Sequence, residues 1–280
     1  SWIPTVSPHF RSPDHLEPFT RTVEESLLSP VFETRSAPIR MAKTSTILHA
    51  MVWISLKAPA LGFAPAIGFV TSSDQRAREV AKDLWRLCRA AGHTFPVKGL
   101  QVDKTTSTGA RFKLGGIFGT WIGTGLHFIF CDDLHASRAA AESRVQREAV
   151  IEALENDILT RTDARGTSSW ITGARWHVND CIGALAKSPI PPRHTNLPAL
   201  NERDESLAEW LVSTEKLRNA RTQLGPYIFA SLYMGQPKPR GGALFIDVTL
   251  AKTLPVEGAF RIAIGIDLAR TARTRSDAQA

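Results

Sequence analysis

Two pairs of adjacent residues carry the side chains best suited to chemistry in this sequence, Lys43-Thr44 and Asp132-Asp133. A lysine ammonium neutralises phosphate oxygens, and a hydroxyl beside it ligates the magnesium ion that accompanies a polyphosphate. Neighbouring carboxylates divide two tasks, one holding a cation and the other orienting or deprotonating a water molecule. If the chain brings the two pairs together, they make a site for a nucleoside triphosphate and Mg2+.

Such a site needs a strand, a tight loop whose backbone N–H groups wrap the phosphates, and a helix that starts at the lysine. Residues 31–36 read as the strand, Pro38 to Ala42 supply the loop, and an apolar helix continues to about residue 56. Pro38, Arg40, Met41, Ala42, Lys43, Thr44 and Ser45 are then the expected nucleotide-binding stretch. Lys43 falls on the β- and γ-phosphates and Thr44 on magnesium. The loop has no glycine, so the G-x-x-x-x-G-K-[ST] spacing is not met. Taken alone, Lys-Thr after a strand is a weak signal that an ordinary helix start explains better.

The second pair ends the run His127-Phe128-Ile129-Phe130-Cys131-Asp132-Asp133, which has the form of a Walker B strand. A continuous apolar strand belongs inside a parallel sheet covered on both faces. Its carboxylates emerge at the C-terminal edge, where open α/β sheets bind ligands. Asp132 is expected to hold magnesium through water and Asp133 to act on the attacking water as the catalytic acid–base group. A strand closing in a solvated acidic turn is the plainer alternative. The two halves come in the right order, about 90 residues apart.

The elements that must position these pairs follow from hydrophobic periodicity. A helix is expected from Asp14 to about residue 28 and a buried strand at 66–71. Ser73 or Asp74 should cap an amphipathic helix that stops at Gly92. Short strands are expected at 95–101, 110–114 and 116–122, a long helix at 138–159 and a strand at 168–172. Alternating strands and helices mean an α/β fold with a mostly parallel central sheet flanked by helices. Prolines 189, 191, 192 and 198 read as a linker or irregular crossing. A helix is expected at 214–223, a Pro/Gly-rich loop at 235–242 and a last strand at 260–267.

The chain has 280 residues, 43% hydrophobic and 22% charged, which is ordinary for a globular protein and argues against disorder. The formal net charge of +7 suits a polyanionic partner without requiring one. Cys88, Cys131 and Cys181 lie far apart with no C-x-x-C pair, so neither a disulfide framework nor a zinc site is expected, and a reducing cytoplasm fits. No leader is expected. The longest apolar stretch, 58–70, contains Pro59 and Pro65 and is too short to span a bilayer, so a soluble protein with no membrane partner is expected.

Several further stretches occur in a fixed order around the two pairs. These are Pro38-Ile39-Arg40-Met41-Ala42-Lys43-Thr44, then Gly119-Thr120-Trp121-Ile122-Gly123-Thr124-Gly125, then Asp132-Asp133-Leu134-His135 followed by Ala141-Glu142-Ser143. The last is Ala174-Arg175-Trp176-His177-Val178-Asn179-Asp180-Cys181-Ile182-Gly183. Together they resemble the large terminase subunit of tailed phages and related gene-transfer particles. The family's corresponding patterns are P-P-R-x-G-K-S or P-R-G-x-A-K-S, G-T-x-T-G-x-G-A-D, D-D-P-h-K with A-E-S, and T-R-W-H-x-x-D-L-x-G. Ile39 and Leu134 stand where proline is usual, and Ala42 where glycine is. The fourth stretch is the most specific, and the resemblance covers nearly the whole chain.

The resemblance implies a P-loop NTPase of the ASCE/RecA-like type at 1–195. A segment joining two domains follows at 196–256, and 257–280 begins an RNase H-like nuclease domain whose first strand carries Asp267 as a metal ligand. It implies an ATP-hydrolysing, Mg2+-dependent motor that drives double-stranded DNA into a procapsid. Its partners would be the portal protein, the small terminase subunit and further copies of itself in a ring, in the cytoplasm of an infected bacterial host. Thr172 and Gly173 with the catalytic Arg175 would form the coupling segment that senses the γ-phosphate. Arg40 would be a cis sensor or phosphate clamp, and Arg138, Arg147 and Arg161 are candidates for a finger acting in trans. One carboxylate cannot assemble a two-metal nuclease, so no nuclease activity is expected of residues 1–280. Two alternatives stay open, another P-loop translocase or helicase-like ATPase, and a hydrolysis-deficient DNA-binding module.

Overall fold

The computed structural model describes residues 3–11, 13–95 and 101–238. Its strands are β1 (Phe32–Ser36), β2 (Ala66–Thr71), β3 (Asp103–Thr105), β4 (Arg111–Gly116), β5 (Phe128–Asp132), β6 (Ser168–Gly173) and β7 (Arg193–Asn196). They form one sheet in the order β3-β4-β2-β5-β6-β1-β7. Every pairing among them is parallel except β3 with β4.

All five residues of β5 and all six of β6 are buried, so the sheet must be covered on both faces. The strand period of two does this directly. Phe128 and Phe130 enter one hydrophobic cluster, while Ile129 and Cys131 enter the other. The first cluster is closed by α3 (Lys43–Lys57) and α4 (Asp74–Ala90), through residues such as Met51, Ile54 and Leu84. The second is closed by α6 (Arg144–Ala153) and α7 (Cys181–Leu185), through Val150, Ile182 and Leu185. Each such side chain contributes about 1.5–3 kcal/mol on leaving water. Trp170 stacks on Phe130 with ring centroids 4.6 Å apart, tying β6 to β5.

The remaining helices are α1 (Ile3–Val6), α2 (Glu17–Glu25), α5 (Arg138–Glu142) and α8 (Thr214–Leu232). The expected helix from Asp14 opens instead as a 3-10 turn, Asp14–Leu16, and Asp14 is not a side-chain cap. Of the two residues offered as the cap of α4, Ser73 is the one that accepts, from Arg76 N.

Three sequence expectations need correction. The helix expected at 138–159 is broken at Ser143, whose ψ of 116° leaves the helical region while its hydroxyl caps α6 through Gln146 N. The carbonyls freed by the break, Ala141 and Glu142, are taken by the Arg147 guanidinium at 2.7 and 3.2 Å. The strand expected at 116–122 is a turn, because Trp121 folds back to donate to Gly116 O at 2.9 Å and fill the second cluster. The proline-rich segment supplies β7, paired to β1, with His194 hydrogen-bonded to Thr34 at 3.0 Å and Thr195 donating to Glu33 at 2.9 Å. The expected domain boundary at 195 therefore falls inside a strand.

In α8, Gly225 (φ 77°, ψ 163°) and Pro226 interrupt the helix, as a missing N–H and a left-handed residue must. Most of the strand expected at 95–101, part of the loop at 235–242, and the strand at 260–267 with Asp267 lie outside the described residues.

Candidate functional site

Parallel strands bring chain segments far apart in sequence to one edge. Ser36 is in register with Gly173, and Thr172 with Asp132, so the loop after β1, the acids after β5 and the turn after β6 all leave the sheet together. β6 lies between β1 and β5.

The loop after β1 makes its turn without glycine. Arg40 (φ 62°) and Ala42 (φ 60°) both sit in the left-handed region, at a cost of order 1–2 kcal/mol each. Anchors on both sides hold it there. Met41 is buried in a cluster with Ala199, Leu200, Ala208, Leu217 and Phe229, and its carbonyl accepts from His15 Nε2 at 3.1 Å. Among the described residues no side chain caps the first N–H groups of α3, which leaves them available to an anion. Sequence reasoning missed both anchors. His15 carries no motif, and the Met41 cluster joins residues more than a hundred positions apart.

Lys43 is only 7% exposed. Its Nζ donates to Pro38 O at 3.3 Å and stands 3.4 Å from Asp133 Oδ2. The Thr44 hydroxyl donates to Asp132 Oδ2. Asp132 is buried, and its Oδ1 has no hydrogen-bond partner among the described residues. Burial, and then the Asp133 charge, push the Asp132 carboxyl up to about 6, against the opposing pull of Lys43, Thr44 and Arg76. A buried carboxylate with an orphaned oxygen is costly, and a divalent cation beside it removes that cost. Thr44 and Asp132 are hard oxygen donors that fit Mg2+. Among the described residues no group of three or more His, Cys, Asp or Glu side chains could hold an ion alone.

Asp133 has the opposite environment. Its side chain is 42% exposed, its Oδ1 accepts from Ala174 N at 3.0 Å, and its own N–H donates to Thr172 O at 3.0 Å. A Cβ at position 173 would come within 3.2 Å of Asp133 Oδ1, so glycine there lets the acid lie against β6. Two adjacent carboxylates thus differ, one sealed and one open to solvent, as separate roles require. They share a cleft of about 280 Å³ with Ile39, Thr44, Arg76 and Trp176. Arg76 was not anticipated. A larger cavity, about 470 Å³, lies between the N-terminal segment and α3. Asp14, Glu17 and Glu24 line it with no lysine or arginine among its described lining, which makes it a poor host for a polyphosphate.

The structure therefore brings Pro38, Lys43, Thr44, Asp132, Asp133, Thr172 and Gly173 together, with Ser45 half-buried in the first turn of α3. Arg40 is exposed on the loop. The Arg175 guanidinium is engaged elsewhere. Its Nε donates to both oxygens of Asp180 at 2.9 Å, and Asp180 in turn caps α7 through Gly183 N at 3.0 Å. A Cβ on Gly183 would collide with the Val178 carbonyl, so 174–183 is one tight knot. Arg147 is buried by its bonds to the α5 carbonyls. Arg138 pairs with Glu142 at 2.7 Å, and Arg161 donates to Thr160 at 2.9 Å.

Neither a protein-family model nor a curated protein matches the chain. Solved structures do. The large terminase of bacteriophage HK97 superposes with a TM-score of 0.53 at 13% identity, over 81% of this chain and 51% of that one. The large terminase of a thermophilic bacteriophage, in complex with ATP-gamma-S, gives 0.51 at 12% identity, over 77% of this chain and 52% of that one. Its complex with ADP gives 0.51 at 11%, with the same coverage. The chain has the fold of phage large terminases and spans about half the length of those structures. Among the described residues no helix is long and apolar enough to cross a membrane.

Proposed function

We propose that this chain is the ATP-hydrolysing motor part of a large terminase, built as a P-loop domain that moves double-stranded DNA into a procapsid. The carrying observation is the meeting of Lys43 and Thr44 with Asp132 and Asp133 at the C-terminal edge of a terminase-like sheet. Lys43 and the uncapped N–H groups of α3 bind the β- and γ-phosphates. Thr44 and Asp132 hold Mg2+, which screens phosphate charge when bound. Asp133, open to solvent beside Lys43, orients the attacking water and takes its proton. Arg40, exposed on the loop, closes over the phosphates.

Coupling runs through backbone contacts. Asp133 is bonded to Thr172 O and Ala174 N, and the next residue, Arg175, offers its carbonyl to Ser231 of α8 at 2.6 Å. A shift of Asp133 on loss of the γ-phosphate is felt along 172–175 and then at α8. Arg175 serves here as a positioning residue. The net charge of +7 suits contacts to DNA phosphates, with affinity that falls steeply with salt and little sequence preference. The portal protein, the small terminase subunit and a ring of copies are the partners this reading implies.

Calorimetric binding of Mg2+-ATPγS and phosphate release from ATP test the reading on wild type and Lys43→Ala. Losing a charge-assisted contact should weaken binding about 10–100-fold and reduce turnover to background. Equal affinity and equal background rates in the two proteins favour the inert DNA-binding module instead. A helicase-like ATPase would unwind a tailed duplex, which this protein should not do.

A further inference from the structure

Among its described lining, Arg76 is the one arginine in the cleft that holds Thr44, Asp132 and Asp133. In the sheet β2 neighbours β5 on the side away from β6 and β1. The helix that follows β2 therefore starts on the flank of Asp132 opposite to the helix that carries Lys43.

Arg76 stands in the first turn of α4, where the helix dipole disfavours a cation. The turn that carries it is fixed. Ser73 Oγ accepts from Arg76 N at 3.2 Å, and Asp74 Oδ1 accepts from Gly116 N at 2.7 Å. A Cβ on Gly116 would lie 2.7 Å from Asp74 N and 2.8 Å from Ser73 C, both backbone atoms. The start of α4 is thus pressed onto the end of β4 with no slack. Among the described residues the guanidinium has one ion-pair partner, Glu79 at 3.1 Å, with both side chains about half exposed. A solvent-screened pair of this kind is readily exchanged for a stronger acceptor.

We infer that Arg76 binds the terminal phosphate of the bound nucleotide, on the flank of Asp132 opposite the helix that carries Lys43, and so distinguishes a triphosphate from a diphosphate. The inference rests on the proposed nucleotide site. A guanidinium fork matches two phosphate oxygens at once, which a single ammonium cannot do. With Lys43 on one side of Asp132 and Arg76 on the other, the γ-phosphate is held from two directions, and ADP leaves the second contact unused.

Calorimetry with Mg2+-ADP and Mg2+-ATPγS on wild type, Arg76→Ala, Arg76→Lys and Glu79→Gln tests this, with thermal melting to verify folding. Arg76→Ala should weaken ATPγS about tenfold or more and change ADP less than about threefold. Arg76→Lys should recover part of the loss, and Glu79→Gln should hold or strengthen ATPγS binding. Equal losses for both nucleotides, no loss for either, or a loss confined to DNA affinity would each overturn the assignment. Wild type binding neither nucleotide would sink the site reading itself, a result distinct from those three.

Discussion

The ammonium of Lys43 stands 3.4 Å from the carboxylate of Asp133. One residue opens a helix and the other follows a strand beyond an intervening strand of the sheet, so only folding makes them neighbours. The contact balances charge across the cleft. On the proposed reading, a phosphate at Lys43 competes with Asp133 for the ammonium.

Asp133→Asn should retain ATPγS affinity, or tighten it slightly by freeing Lys43, while ATP turnover falls about 10²–10⁴-fold. Filter binding and phosphate release measure the two separately. If affinity disappears together with turnover, Asp133 is a binding residue and not the group acting on water.

Thr44→Ala removes the hydroxyl that donates to Asp132 and would ligate magnesium. The expected result is a higher Mg2+ requirement, with turnover partly restored when the ion is raised at saturating ATP. An unchanged magnesium titration would remove Thr44 from the ligand set.

The three cysteines are free thiols and all are buried. Burial pushes the Cys88 thiol up to about 12 and raises Cys131 and Cys181 as well. Only the thiolate is nucleophilic, so the folded protein should be inert to a disulfide reagent at pH 8 and should yield three equivalents once denatured. Because the folded values lie above the unfolded one, stability from the neutral thiols is complete below about pH 8.5 and declines as pH rises toward 12. Rapid labelling of the native protein would contradict the packing of both core clusters.

Gly116→Ala should destabilise the fold by about 1–3 kcal/mol, since its new Cβ meets backbone that cannot rotate away. Urea unfolding measures the loss. A neutral substitution would show that the start of α4 is not held against β4 as described.

Much of the framework was legible because its signals are local. The apolar runs of β2 and β5, the Ser73 cap and the Gly92 stop (φ 87°) follow from residues that touch their own neighbours in sequence. Where long-range contacts decided the outcome, local reading failed. Ser143 looks like any helical serine until Arg147 is seen taking the carbonyls that the break exposes. The stretch after Gly116 alternates like a strand, yet Trp121 gains more by burying its indole. β7 is polar and mostly exposed, with no alternation to betray it.

The candidate site divides the same way. Lys43-Thr44 and Asp132-Asp133 could be singled out by residue type and by position beside a strand, and the fold brings the two pairs together. Which of the two acids is sealed and which is open, that a glycine-free loop is held by His15 and the Met41 cluster, that Arg175 is bound to Asp180, and that Arg76 reaches the cleft were decided only in three dimensions. Burial and the pairing of charges depend on segments that sequence separates and the sheet brings side by side.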